Sequence, residues 1–315
     1  MNREKIIKIA MVVCVTVLLC AVIITSTGMF GSFGAGGYAN AELYTSGDAE
    51  ISGEIRNLDI RWTAGKVTLA YGPEGKASLA ETAKRALSED EKLQWWLEGN
   101  TLHVQFAKPG IRWNMPEKEL TVTLPRGAAL ERAEIHTTSG DIEIPELAAD
   151  VMILDSTSGD IRAAAEVKNA EINATSGDQE IRLAGEAEIV RLNSTSGSIA
   201  AAAEKAVIFE AASTSGGVSM EAAECREAKA NSTSGDIRVS FGKLEKLTVD
   251  ATSGSVTAAL PEAPGFTADV RTTSGDFSSD IALTRDGNRY VCGDGSASVS
   301  IGTTSGNVRM EKTAK

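Results

Sequence analysis

Carboxylates recur at one place in a short repeated motif of this sequence. From residue 138 to residue 306 the triplet Thr-Ser-Gly appears nine times at near-constant spacing, followed by aspartate in five copies. The aspartates are Asp141, Asp160, Asp178, Asp236 and Asp276. Side chains stacked about 5 Å apart could bind Ca²⁺ through their oxygens. Because serine, glycine or asparagine replaces them in the other copies, we favour a turn residue and predict no metal or other cofactor.

The hydroxyls of the triplets form a second regular series of polar groups. A flat array of threonine and serine could bind ice, a glycan or another surface. The same hydroxyls can instead hydrogen-bond the backbone of a neighbouring bend. Because the bend explains these residue types without a ligand, we expect the structural role.

Catalytic signatures are weak in this chain. The two histidines, His103 and His136, are far apart in sequence, and no nucleophile-elbow, zinc or phosphate-loop motif occurs. Every triplet serine lies in the repeated bend, so none is singled out as a nucleophile. Polysaccharide-cleaving enzymes need a local cluster of acidic groups, whereas here the pattern repeats regularly. The sequence therefore predicts a non-enzymatic protein, with a glycan-active enzyme as the least favoured alternative.

Tryptophan is confined to one part of the chain, with Trp95 and Trp96 adjacent. These rings could stack on sugars, but covering one end of a core is the favoured role. If the segment is a strand, the two side chains point to opposite faces, so one is exposed. Trp95 and Trp96 are therefore the tentative ligand contacts.

The elements that position these groups follow from the spacing of the triplets. Successive glycines are 19, 18, 20, 19, 19, 19, 21 and 31 residues apart. Positions seven and five before each glycine, and two after it, are mostly apolar, which indicates strands with alternate side chains facing inward. We predict an all-β fold, a single-stranded parallel β-solenoid about 40 Å long. By analogy with parallel crossovers we expect a right-handed coil. The corner glycines are Gly140, Gly159, Gly177, Gly197, Gly216, Gly235, Gly254, Gly275 and Gly306.

Three irregularities modify this plan. Gln179 stands where the other copies have an apolar residue, which suggests a local bulge. The spacing of 31 before Gly306 predicts an excursion before the last rung. Residues 58–69 resemble a degenerate rung, with Thr-Ala-Gly ending at Gly65.

Cys225 and Cys292 would lie three rungs apart, too far for a disulfide, so we predict free, buried thiols.

The domain organisation follows from changes in composition. Residues 131–311 form the repeat solenoid, and residues 48–130 are predicted to be an N-terminal β cap, because the first rung of a solenoid is an open edge. Within the cap, residues 93–106 predict a hairpin with Gly99 and Asn100 at its turn.

The N-terminus predicts a membrane segment. Residues 1–8 are basic, residues 9–30 carry no charge and are long enough to span a bilayer, and residues 31–47 form a Gly/Ser-rich linker. Positive residues before the span favour an N-terminus inside and the rest of the chain outside. We favour an uncleaved, single-pass signal anchor of the cell membrane over a secreted protein cleaved near Ala41.

The sequence resembles a bacterial family of uncharacterised, cell-surface-associated proteins known as DUF4097 or candidate adhesins. The resemblance covers about residues 55–310. It rests on the strand at 120–125 leading into 130–142, the repeated Thr-Ser-Gly-Asp-Ile core, and the closing segments 290–295 and 303–308. The resemblance implies a β-solenoid, links some members to cell-envelope stress systems, and supplies no catalytic residues.

The net charge of the chain limits the classes of partner that it can bind. The net charge of −12 argues against nucleic acid and permits cationic ligands. We expect a surface binding or scaffolding module, adhesin-like, that contacts a cell-wall polymer, a protein or a cationic peptide. A sensing or regulatory component of an envelope-stress response is the alternative. The sequence leaves the oligomeric state open, although exposed solenoid ends could pair.

Overall fold

The computed structural model describes residues 38–73, 75–110, 115–287 and 289–313. This part of the chain is all-β, with 73% of it in strands and one short 3₁₀ helix, Ala41–Leu43. No helix within the described ranges has the length and apolar character needed to cross a bilayer. Outside these ranges lie the predicted basic segment, the predicted transmembrane segment, residues 31–37 of the predicted linker, Trp113 and the two N-terminal cysteines.

The strands are numbered in chain order. β1 to β7 are Thr45–Ser46, Ala49–Ile51, Asn57–Gly72, Ala77–Ala83, Gln94–Glu98, Thr101–Gln105 and Lys118–Pro125. β8 to β14 are Leu130–Ile144, Ala148–Ser158, Ile161–Ser176, Gln179–Ser196, Ile199–Ser215, Val218–Ser234 and Ile237–Ser253. β15 to β21 are Val256–Leu260, Gly265–Ser274, Phe277–Ser279, Thr284–Asp286, Arg289–Gly293, Ala297–Ser305 and Val308–Lys312.

Strands β8 to β14 form the regular middle of a coiled sheet. Each pairs in parallel with the next, so equivalent positions stack; Ile172 faces Leu154 on one side and Leu192 on the other. Alternate residues point inward, and one continuous apolar core of mainly Ile, Val, Leu and Ala fills the coil. The predicted all-β fold with mostly parallel strands is confirmed, and the stacking is consistent with a β-solenoid.

The coil begins with strand β3. Its residues pair in parallel with β8, and Gly65 faces Gly140, as the degenerate Thr-Ala-Gly rung predicts. On its other side β3 pairs in parallel with β6 and β7, which together form one rung beneath it. The rung that comes first in the sequence, β3, is therefore the second rung of the coil, between β6–β7 and β8.

Antiparallel strands cover the N-terminal end of the coil. β5 pairs with β6 through the predicted turn at Gly99 and Asn100, and β4 pairs with β7. β1 and β2 then pair with β5 and β4. The hairpin over residues 93–106 is confirmed, and the ambiguous segment from residue 77 is a strand as far as Ala83.

At the C-terminal end the order of the strands differs from the prediction, in which the corner at Gly306 belonged to the last rung. β20 and β21 pair with β14 and β15 on one side and with β16 and β17 on the other. The corner at Gly306 therefore stacks between Gly254 and Gly275 and does not end the coil. The predicted excursion before Gly306 is present as the antiparallel pair β18–β19, which lets the chain reach this inner place.

The bulge expected at Gln179 is also wrong. Gln179 pairs in register with Ile161 and Ile199 and is 1% exposed. Its amide nitrogen donates to the carbonyl of Asn193 at 2.6 Å, which lets a polar side chain occupy a core position. The register instead shifts between Glu166 and Asn169.

Cys225 and Cys292 are free and buried, as predicted. Burial raises the pKa of Cys225 to about 12, so its thiol stays protonated. The predicted separation of three rungs was wrong, because Cys292 lies on β19 outside β16, so that β14, β20 and β16 stand between its strand and that of Cys225.

Candidate binding surface

The corner glycines form a single column of closely stacked bends. A Cβ atom on Gly216 would lie 2.1 Å from the carbonyl oxygen of Gly197, and one on Gly235 would lie 2.2 Å from that of Gly216. Neither distance is possible for a real side chain. Glycine is therefore needed here because the neighbouring rung occupies the space of its side chain. The column runs in the order Gly65, Gly140, Gly159, Gly177, Gly197, Gly216, Gly235, Gly254, Gly306 and Gly275.

Hydroxyls three residues before four of the glycines donate to the carbonyl of a neighbouring corner; they belong to Ser213, Ser232, Thr272 and Thr303. The side chain of Ser232 donates to the carbonyl of Gly216 at 3.1 Å, and that of Thr303 donates to Gly254 at 3.0 Å. In the first rung the indole N–H of Trp62 takes the same place and donates to the carbonyl of Lys118 at 2.9 Å. These groups come one position before the triplets, whose own hydroxyls, such as those of Thr233 and Ser234, are exposed.

The corner aspartates also bond between rungs. Asp141 accepts the backbone N–H of Asp160 at 2.9 Å, and Asp160 accepts that of Asp178 at 3.0 Å. Asp236 does the same for Ser255 at 2.8 Å. Within the described ranges no cluster of His, Cys, Asp and Glu could hold a metal ion. These carboxylates therefore have a structural role at the corners, where they accept backbone N–H groups.

A further Thr-Ser-Gly-Asp, at residues 45–48, lies outside the column. Gly47 donates its N–H to the carbonyl of Leu93, and Asp48 accepts the N–H of Glu81, both at 2.8 Å. The motif here joins the edge strands of the cap. It precedes the regular spacing, so the repeat pattern did not identify it.

Trp95 and Trp96 lie on opposite faces of β5, as the strand prediction requires. Trp95 packs against the core, and its indole N–H has no hydrogen-bond partner. Trp96 stacks on His103, with ring centroids 5.6 Å apart, and contacts Tyr44 at 5.9 Å. Tyr38 continues this series at 4.7 Å from Tyr44. We call these four side chains the aromatic row.

The aromatic row reaches the surface beside Leu43. This leucine is 51% exposed, and among the described residues it is the large apolar side chain that stands out to solvent. Tyrosine and tryptophan offer both an apolar face and a polar edge, which suits contact with a partner. Of the two predicted contacts, the geometry therefore favours Trp96.

The two histidines lie on the same face of the coil, a proximity that the sequence did not reveal. His103 contacts Asp59 at 3.0 Å, and β3, which carries Asp59, pairs directly with the strand that carries His136. His136 lies 2.7 Å from Glu134 and 2.8 Å from Asp155. Four consecutive rungs, those of β6, β3, β8 and β9, therefore bring these carboxylates and imidazoles together.

The charge state of His136 follows from these contacts. Burial alone would lower the pKa of His136, but hydrogen bonds with Asp155 and Glu134 outweigh burial and raise the pKa to about 9. The hydrogen bond with His136 lowers the pKa of Glu134 to about 2, against the opposing effect of burial. The imidazole is therefore a cation at neutral pH and a poor general base.

A buried lysine closes the N-terminal end of the column. Lys118 faces Gly65, its side chain is fully buried, and its ammonium lies 2.7 Å from Glu81. The ammonium also lies 4.9 Å from the Trp62 ring and 4.3 Å from the Phe106 ring. Burial lowers the pKa of Lys118, while the hydrogen bond with Glu81 opposes that shift. The pair joins the cap to the coil.

An open cavity of about 370 Å³ lies beside this pair. Its charged lining is already paired: Arg85 contacts Glu91 and Lys92 contacts Glu89, both at 2.6 Å. A ligand would have to displace these partners. The lining residues are Gly47, Asp48, Glu81, Ala83, Arg85, Leu87 and Lys92.

Two solved structures are similar to this chain. A candidate adhesin from Bacteroides fragilis shares 19% identity, with a TM-score of 0.49 over 67% of this chain and 95% of its own. A candidate cell adhesion protein from Clostridium sporogenes shares 11% identity, with a TM-score of 0.21 over 85% of this chain and 100% of its own. No curated protein matches.

The family model described as Toastrack DUF4097 matches residues 54–311. This range starts just before β3 and ends inside β21, so it includes every corner of the glycine column. The protein therefore belongs to the Toastrack DUF4097 family.

Proposed function

We propose that this chain is a non-enzymatic, adhesin-like binding or scaffolding module of the cell envelope. The observation that carries the proposal is the aromatic row, which ends at the exposed Leu43. By contrast, the corner carboxylates that could have formed a repeating ligand surface accept backbone N–H groups of neighbouring rungs. The row is thus the surface that we assign to a ligand.

The position of the row suits a module attached to the membrane. Residues 9–30 are the proposed single-pass anchor, with residues 1–8 inside the cell and the solenoid outside. Residues 31–37 span at most about 25 Å when extended, so the row at Tyr38 and Tyr44 would stay near the bilayer. Cleavage near Ala41 would instead release a secreted solenoid.

Binding by the full-length chain in mild detergent tests the ligand surface. We expect retention on isolated cell-wall polymer that changes little between about 0.05 and about 0.5 M salt, because ring stacking is not screened. Trp96→Ala should abolish retention, whereas Trp95→Phe, on the opposite face, should keep it. Equal retention of both variants would contradict the proposal.

A separate assay tests the non-enzymatic assignment. Glycan turnover that is lost on replacing a single carboxylate, as in Asp59→Asn, would overturn it.

The acidic charge favours one alternative, a sensing or regulatory component of an envelope-stress response. A net charge of −12 would attract a cationic peptide, and that attraction would weaken steeply with salt. Peptide binding that disappears over the same salt range, with no retention on polymer, would favour the sensor. Binding of nucleic acid is not expected from this charge.

A further inference from the structure

The last rung of the coil leaves one edge without a partner. β16 and β17 pair with β20 and β21 on their inner side. On the outer side β19 covers only residues 265–268 of β16. Within the described ranges no strand pairs with the outer side of residues 270–279. We call this outer side the terminal edge.

Core positions at the terminal edge are less covered than their counterparts inside the coil. Val270 and Phe277 are half-buried, whereas Ile301 and Val308, which face them on the next rung, are 1% and 0% exposed. Tyr290 contacts the Phe277 ring at 4.7 Å and gives it partial cover. One further layer of apolar side chains would complete the burial.

Each interior corner contacts the next through repeated hydrogen bonds. Gly235 donates its N–H to the carbonyl of Ser253, and Ile237 donates its N–H to that of Ser255, at 3.0 and 2.9 Å. Asp236 accepts the N–H of Ser255 at 2.8 Å. At some corners the glycine carbonyl also accepts a hydroxyl three residues before the next glycine, as Gly216 does from Ser232.

The same bonds form when the next corner is not the next in sequence. Gly306 donates its N–H to Ser274 at 3.0 Å and accepts the hydroxyl of Thr272 at 3.0 Å. Asn307 accepts the N–H of Asp276 at 2.9 Å. Chain continuity is therefore not needed for one corner to stack on another.

We propose that the terminal edge binds an extended segment of a partner protein that adds one more rung in parallel. The groups that would form its hydrogen bonds are the N–H groups of Gly275 and Phe277, the carbonyl of Gly275 and the carboxylate of Asp276. The equivalent N–H groups make these bonds at successive corners, and several of the equivalent carbonyls and carboxylates do so as well. Strand addition of this kind supplies affinity through main-chain hydrogen bonds and specificity through side chains.

The column also specifies the partner sequence. A Cβ on Gly275 would lie 2.0 Å from the carbonyl of Gly306, and the same stacking would place a partner side chain against the carbonyl of Gly275. The partner therefore needs glycine at the corner, and serine or threonine three residues before it would add the hydrogen bond that Ser232 and Thr303 make. Apolar residues five before and two after that glycine would cover Val270 and Phe277.

A labelled peptide of residues 297–312 carries this pattern and serves as the probe. We expect it to bind the full-length chain in detergent, measured by fluorescence anisotropy. The same peptide with Gly306→Ala should bind at least about tenfold more weakly, because its Cβ would clash. Equal binding of the two peptides, or no binding, would overturn the proposal.

Variants of the chain locate the site. Asp276→Ala should weaken binding about tenfold by removing a charged hydrogen-bond acceptor, while Asp276→Asn should keep it, as Asn307 does in the column. Glu188→Lys, an exposed charge change in another rung, should have no effect. Binding that ignores Asp276→Ala would indicate displacement of β20 and β21 and would overturn the proposal. So would a stable dimer in analytical ultracentrifugation that dissociates on Phe277→Ala, because a second copy would then fill the edge.

Discussion

Gly216 and Gly217 are adjacent in the chain but differ in what a side chain would meet. A Cβ on Gly216 would lie 2.1 Å from a backbone oxygen, whereas one on Gly217 would come no closer than 3.4 Å to any atom. Gly216→Ala should therefore lower the free energy of unfolding by about 2–4 kcal/mol. Gly217→Ala should change it by less than about 1 kcal/mol. Urea denaturation of both variants measures the difference, and equal losses would contradict the stacking argument.

Lys118 and Glu81 form a buried pair whose two halves depend on each other. Lys118→Met should destabilise the protein by about 3–5 kcal/mol, because it leaves the carboxylate of Glu81 buried without its cation. Replacing both, as Lys118→Met with Glu81→Leu, should recover much of that loss. Thermal unfolding followed by circular dichroism measures this. A double variant as unstable as the single one would show that the pair is not the cause.

His136 predicts a loss of stability at alkaline pH. Its pKa is raised from about 6.5 in the unfolded chain to about 9 in the folded protein, so folding favours the protonated form. The stabilisation, up to about 3 kcal/mol, is complete below pH 6.5 and is lost as the pH rises through 9. His103, whose pKa is raised mainly by its hydrogen bond with Asp59, adds an effect of the same sign.

Melting temperatures between pH 6.5 and 9.5 test this. The wild-type value should fall, and His136→Gln should flatten most of the decrease. His103→Gln is the matched control and should leave most of the slope. A wild-type slope unchanged by His136→Gln would refute the assignment.

The roles of some of these residues could be predicted from the sequence and those of others could not, and the difference has a physical reason. Corner glycines and aspartates repeat at fixed spacing, so their role is visible in the pattern. Lys118 and Glu81 are 37 residues apart in sequence and occur once, and no periodicity marks them. The pairing of His136 with Asp155 depends on the stacking of rungs, which makes residues in different repeats neighbours.

At the scale of elements, the inserted rung is the feature least visible in sequence. The repeat spacing predicted strands, corners and an excursion before Gly306. It did not indicate on which side of β16 the returning strand would pair, because both sides offer the same parallel register. The degenerate rung at Gly65 was predictable because Thr-Ala-Gly keeps the pattern.

The insertion makes the C-terminal strands more important than terminal strands usually are. Truncation after Asp294 removes β20 and β21, which separates β16 and β17 from the rest of the coil. We expect limited proteolysis to cleave the truncated chain within residues 256–294, while residues 130–253 stay protected. Truncation after Lys312 is the control and should leave the pattern unchanged. A truncated chain that resists cleavage would argue against the observed strand order.

For the whole molecule, contacts are mostly between neighbouring rungs. Exposed ion pairs such as Arg191–Glu210, at 2.9 Å, and Lys246–Glu227, at 2.5 Å, also join adjacent rungs and contribute little individually. Stability in such an array is close to a sum of nearest-neighbour interfaces.

Hydrogen exchange should therefore depend on position along the coil. Backbone amides of β11, β12 and β13 should exchange slowest, because each has a complete rung on both sides. Amides of β17 and β18, at the open end, should exchange fastest. Uniform protection measured by mass spectrometry would mean that the coil unfolds as a single cooperative unit.

The interchangeable interior rungs have an evolutionary consequence. Between Gly177 and Gly254 each repeat meets the same type of corner above and below, and both specialised ends lie outside this stretch. Duplication of one 19-residue unit there would add about 4.8 Å of length while leaving the cap and the final corner intact. Natural relatives can thus differ in the length of the coil by whole repeats without any change to the surfaces at its two ends.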